Sequence, residues 1–127
     1  MIAAIAPQFF STDIPRTVNF FERMLGFEHQ FGYGDPVYFV GVIRDGQSIF
    51  IRHVDSYPIQ PADKYTEELL DAYLRVEEIE ALYREYADRG VPMHRELATM
   101  PWGFTEFVVR DGDGRLLCFG EAADVGT

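Results

Sequence analysis

Ile14, Val18, Phe21 and Leu25 recur at helical spacing, and Ile79, Leu82, Tyr83 and Tyr86 do so again further along the chain. Each set predicts an amphipathic helix with one apolar stripe. The first helix has Ser11, Thr12 and Asp13 as candidate N-caps, Pro15 in its first turn where a missing N–H costs nothing, and Gly26 at its end. The second opens on Glu77, Glu78 and Glu80, carries Arg84 and Arg89 in its last turns to complement the helix dipole, and stops at Gly90 and Pro92. Apolar runs that alternate or stay continuous predict strands over residues 3–10, 37–43, 47–54, 70–76, 104–110 and 115–121. Asp45-Gly46 and Asp111-Gly112-Asp113-Gly114 supply the turns of two hairpins. Gly32, Gly34 and Pro36 mark the stretch before the first hairpin as a loop.

These elements repeat. Residues 13–27 and 78–91 each form a Gly-closed helix that leads to an Arg-Asp-Gly turn, Arg44-Asp45-Gly46 and then Arg110-Asp111-Gly112. Apolar strands follow both turns, Ser48-Ile49-Phe50-Ile51 and Leu116-Leu117-Cys118-Phe119. The repeat predicts an α+β fold of two βαβββ modules, since neither half is large enough to bury its own sheet face. The expected arrangement is a curved mixed sheet around a shared groove with the helices on the outer face. Residues 1–54 form the first module and residues 69–127 the second, within a single domain. The Pro58- and Pro61-bearing stretch 55–68 connects them.

Composition narrows the function classes. With 21 acidic and 11 basic side chains the net charge is −10, which argues against a nucleic-acid partner and favours steering of a cationic small molecule. No run of eighteen apolar residues occurs and no basic segment precedes an apolar one, so neither a membrane span nor a secretory signal is expected. The single cysteine, Cys118, suits a reducing cytoplasm and reads as a small buried side chain in mid-strand. The Asp-Gly-Asp-Gly turn lacks the spacing and terminal Glu of a calcium loop. No nucleophile elbow or phosphate loop is present. Strand alternation places Gln8, Phe10, Phe50, Arg52, Asp71, Tyr73, Arg75 and Cys118 on the face opposite the helix-packing Phe9, Ile49, Ile51, Leu74 and Leu117. That mixture of aromatic and polar groups is characteristic of a ligand-binding surface.

Phe20-Phe21-Glu22-Arg23-Met24-Leu25-Gly26-Phe27, Pro101-Trp102-Gly103 with Glu106-Phe107, and Arg110 through Gly114 resemble the glyoxalase/bleomycin-resistance/dioxygenase superfamily over nearly the whole chain. The Pro-Trp-Gly segment and the hairpin at Val42-Ile43-Arg44-Asp45 are most similar to its bleomycin-binding branch. The resemblance implies a homodimer, and a flat heteroaromatic ligand clamped between Phe39 and Trp102. Glu106 would then orient the ligand or its strand, and Gln8, Phe50, Arg52, Tyr73 and Cys118 would line the site. It also maps the metal-ligand positions of the enzymatic branches onto Ala6, Phe50, Asp71 and Cys118. Ala and Phe cannot coordinate a cation, and an Asp with a thiol completes neither a magnesium nor a zinc set. His29, His53 and His94 lie elsewhere. The expectation is therefore non-catalytic binding of a bleomycin-type antibiotic or similar flat cationic ligand, with no metal, cofactor or catalytic residue. A metal-dependent lyase, isomerase or dioxygenase with an atypical site including Asp71 is the alternative.

Overall fold

The computed structural model describes residues 1–123. Two compact units are present, Met1–Gln60 and a second beginning at Pro61. The first contains β1 (Gln8–Ser11), α1 (Ile14–Arg23), β2 (Glu28–Gly34), β3 (Val37–Arg44) and β4 (Gln47–His53). The second repeats the order with β5 (Ala72–Arg75), α2 (Ile79–Asp88), β6 (Met93–Thr99), β7 (Phe104–Arg110) and β8 (Leu116–Ala122). Each unit is thus a βαβββ module with its own four-stranded mixed sheet, ordered β1-β4-β3-β2 and β5-β8-β7-β6. The first strand of each module pairs parallel with the last, and the other pairings are antiparallel.

Local chemistry explains the helices. The Asp13 carboxylate accepts the Arg16 N–H at 3.2 Å, and the buried Ser11 hydroxyl accepts the Asp13 N–H and meets the Thr17 hydroxyl at 2.6 Å. Leu25 and Phe27 flank Gly26, whose φ of 75° turns the chain back so that Phe27 N–H reaches the Phe21 carbonyl. Phe21 then packs on Phe9 and Phe27 above the buried Val40, Val42, Ile49 and Ile51. The second helix is capped from a distance: Glu121 of β8 accepts the N–H groups of Glu78 and Ile79, placing a carboxylate at the positive end of the helix. Its Tyr86 is buried against Phe107 and Phe119, whose rings stack 5.1 Å apart.

Three differences from the sequence expectation have physical causes. The first strand begins at Gln8 rather than residue 3, because Pro7 accepts the Phe50 N–H but has none to donate onward. Residues 28–34 form the edge strand β2, not a loop, and residues 93–99 form the unforeseen edge strand β6. Both contain register shifts, between His29 and Phe31 and between Tyr33 and Gly34 in β2, and on either side of Arg95 in β6. Bulges break the alternation by which a strand is recognised in sequence.

The two sheets share one register. Gln8, Phe50, Gly41 and Phe31 form a row across the first, and Tyr73, Cys118, Val108 and Arg95 form the matching row across the second. One step along, Phe10, Arg52, Phe39 and Tyr33 correspond to Arg75, Gly120, Glu106 and Ala98. The fold therefore repeats while the chemistry at equivalent positions does not.

Candidate functional site

In the second module the polar chemistry converges on Glu106, which lies on the inner strand β7 and is 2% exposed. Its Oε2 accepts the Tyr73 hydroxyl from β5 at 2.7 Å and the Trp102 indole N–H at 3.0 Å. Its Oε1 accepts Arg95 Nη2 from β6 at 3.0 Å. Arg95 also forks onto Glu68, with Nη2 to Oε1 at 2.8 Å and Nε to both oxygens at 3.2 Å, while Nη1 points at the Met100 sulfur. Side chains from three other stretches of the module thus meet at this one carboxylate, and Glu68 joins them through Arg95.

Electrostatics follow from this geometry. Burial works to raise the Glu106 carboxyl, but the hydrogen bonds from Trp102, Tyr73 and Arg95, with the Arg95 charge, outweigh it and hold the group below the usual carboxylate range. Tyr73 is pushed upward by burial and by its bond to Glu106, so it remains a phenol donor. Arg95 is raised by its bonds to Glu68 and Glu106 against the opposing effect of burial. Burial, then the Glu106 charge, pushes the Cys118 thiol up to about 12. An ionised carboxylate already bonded by three donors is a poor proton acceptor, and a protonated buried thiol is a poor nucleophile. The arrangement is built to hold side chains in place.

What it holds in the open is Trp102, 60% exposed in the turn between β6 and β7. Gly103, at φ 86°, returns its N–H to the Met100 carbonyl and makes that turn possible. Close by in the fold, the Arg75 guanidinium lies 4.9 Å above the Phe104 ring, and Tyr73 is half-exposed with its ring edge-on to Phe104.

The other residues singled out from sequence divide between the modules. Phe39 and Phe50 join Phe31 in a half-buried cluster with centroids 5.3 to 5.6 Å apart. Gly41 leaves room for the Phe31 ring, which a Cβ there would strike. Gln8 is exposed at the start of β1, and Arg52 lies over the Tyr38 ring. Tyr73, Trp102 and Glu106 come together as described, whereas Cys118 is fully buried among Val108, Leu116 and the half-buried Tyr65. Arg95 and Glu68 were not foreseen. Arg95 lies in the bulged strand that sequence did not reveal, and Glu68 in a stretch read as connection only.

At the positions onto which the resemblance maps metal ligands, the side chains are otherwise bonded, buried or without a donor. Asp71 Oδ2 already accepts the buried Lys64 ammonium at 2.7 Å and the Leu116 N–H at 2.9 Å, so an internal cation takes the place an ion would need. Ala6 and Phe50 offer no donor, and Cys118 is held protonated. Among the described residues, no three His, Cys, Asp or Glu side chains gather as a cation site. None of the described helices is long and apolar enough to cross a membrane.

Gly120 faces Glu106 across the β7–β8 ladder, and a Cβ there would collide with the Tyr73 hydroxyl. Gly120→Ala is expected to expel Tyr73 from Glu106 and lower stability by about 1–3 kcal/mol. Thermal unfolding checks this in two backgrounds: the cost should shrink sharply once Tyr73→Ala has removed the ring, and an unchanged cost would mean that the clash lies elsewhere.

Comparison with known proteins adds the following. The sequence profile of the Glyoxalase/Bleomycin resistance protein/Dioxygenase superfamily matches residues 2–119. Among solved structures, the bleomycin-binding protein from bleomycin-producing Streptomyces verticillus, complexed with copper(II)-bleomycin, is similar at 26% identity and TM-score 0.69, covering 98% of each chain. TioX from Micromonospora sp. ML1 is similar in fold at 19% identity and TM-score 0.75, covering 94% of this chain and 98% of its own. A glyoxalase-related enzyme from Clostridium phytofermentans gives 21% identity and TM-score 0.76, covering 96% of each chain. No curated protein matches by sequence.

Proposed function

The chain belongs to the glyoxalase/bleomycin resistance protein/dioxygenase superfamily, and from that premise we propose that it binds a flat, cationic small molecule of the bleomycin type and sequesters it without chemical conversion. The observation that carries this reading is an indole plane presented to solvent and fixed through its N–H to a buried carboxylate. A planar heteroaromatic stacks on such a surface with about 0.5–1.5 kcal/mol beyond the area it buries. The first module carries an aromatic cluster of its own, Phe39 with Phe31 and Phe50. The net charge of −10 draws a cationic ligand toward the protein. The likeness to a bleomycin-binding protein at 26% identity supports the ligand class, and the bonding at Glu106, Cys118 and Asp71 supports binding over catalysis. A homodimer, implied by the sequence resemblance, in the reducing cytoplasm that a single cysteine suits, completes the reading.

Trp102 is the single tryptophan, so its fluorescence reports binding directly. Titration with metal-free and copper-loaded bleomycin is expected to give saturable quenching that weakens at high salt. Trp102→Ala should lower the affinity measured by equilibrium dialysis about tenfold. No quenching by either form, or an unchanged affinity in the variant, would overturn the assignment.

A further inference from the structure

Resting on Trp102 as the surface on which the ligand stacks, we propose that the Glu106 carboxylate tunes that indole for rings that themselves carry positive charge. The platform then selects a permanently cationic heteroaromatic over its neutral isostere, and the preference resides in the ring and not only in a charged tail elsewhere on the ligand.

The argument begins with the hydrogen bond. Trp102 Nε1 donates at 3.0 Å to a carboxylate that is 2% exposed, so the bond is charge-assisted and little screened by water. Donation to an anion moves electron density into the indole and deepens the negative potential on its face, where a cation is attracted. Tyr73 on the same oxygen and Arg95 on the other leave the carboxylate one orientation. The indole plane is correspondingly fixed before a ligand arrives, which lowers the ordering cost of stacking.

The protein's own neighbouring cations are already engaged, and the one on Glu106 is shared with a second carboxylate, so two acidic groups face a single guanidinium. Arg95 is committed to Glu68 and Glu106, and Arg75 lies over Phe104. Trp102 meanwhile keeps most of its surface in solvent.

Because a chain of net charge −10 attracts any cation, the test must separate the local carboxylate from the overall field. The probes are 1-methylquinolinium and quinoline near neutral pH, with binding to the full-length protein measured by equilibrium dialysis. The unmodified protein is expected to bind 1-methylquinolinium roughly fivefold more tightly than quinoline. Glu22→Gln, which removes one exposed negative charge from α1, should keep that ratio. Glu106→Gln removes one charge as well but should bring the ratio close to one while quinoline still binds.

Equal binding of the two probes by the unmodified protein, or an undiminished ratio in Glu106→Gln, overturns the tuning and leaves the stacking assignment standing. Failure of both probes to bind overturns the stacking assignment and the tuning with it. If Glu106→Gln does not fold, Tyr73→Phe serves instead: with one competing donor gone from Glu106, the ratio should rise, and an unchanged or lower ratio overturns the proposal.

Discussion

Phe107→Ala is expected to lower the stability of the second module by about 3–5 kcal/mol, a large share of the 5–15 kcal/mol typical of a folded domain. Phe107 is fully buried, stacks on Phe119 at an interplanar angle of 9°, and receives the edges of Tyr83 and Tyr86 from α2. Removing the ring takes away the surface on which the helix rests, and the rigid strands on either side cannot close the space. Trp102 lies in the same module, so denaturant unfolding followed by its fluorescence reads the loss as a lowered midpoint with an unchanged slope. Phe104→Ala, at a half-buried position on the same strand, should cost clearly less. Comparable costs at the two positions would mean that the Tyr83, Tyr86, Phe107 and Phe119 cluster is not the centre of this core.

Both helices and both hairpins were legible in sequence, because their signals are local: Asp13 and Gly26 bracket the first helix, and Asp45-Gly46 turns the first hairpin. The alternation that separated Gln8, Phe10, Phe50 and Arg52 from Phe9, Ile49 and Ile51 also appears in burial: the second set is buried, and the first is exposed except for the half-buried Phe50. What escaped was non-local. Glu121 caps a helix more than forty residues earlier in the chain, and no spacing rule connects the two. The edge strands β2 and β6 were hidden by glycines, exposure and bulges, and Arg95 was hidden with β6. Trp102, Glu106 and Tyr73 could be named from sequence, but not that two of them share one oxygen of the third, nor that a guanidinium from a strand the pattern did not reveal holds its other oxygen.

The repeat sharpens this point. Phe31 and Arg95 occupy equivalent places, as do Phe39 and Glu106, and Phe50 and Cys118. One module fills these places with a cluster of rings, the other with an ion pair beside a buried thiol. The aromatic version is held by packing and is insensitive to pH. The ionic version depends on each of its members.

That dependence makes Arg95→Met the most informative change at the site, with an expected loss of about 3 kcal/mol at neutral pH. Methionine fills much of the same space, so the cost is electrostatic: Glu106 stays buried with its Oε1 unpaired, and Glu68 loses its fork. The Glu106 carboxyl titrates below its unfolded value in the intact protein, so its contribution to stability is complete above the unfolded pKa and fades as the pH falls through the lower folded one. In the variant the carboxyl no longer has that support and its pKa rises. The stability gap between the two proteins should therefore be widest near neutrality and close in acid, where both carry a protonated Glu106. Adding Glu106→Gln to Arg95→Met should recover part of the loss, since no buried charge is then left without a partner. Urea unfolding of the single and double variants across the acid range measures both effects. A gap independent of pH, together with no recovery in the double variant, would show that Arg95 acts through the packing of its stem and not through its charge.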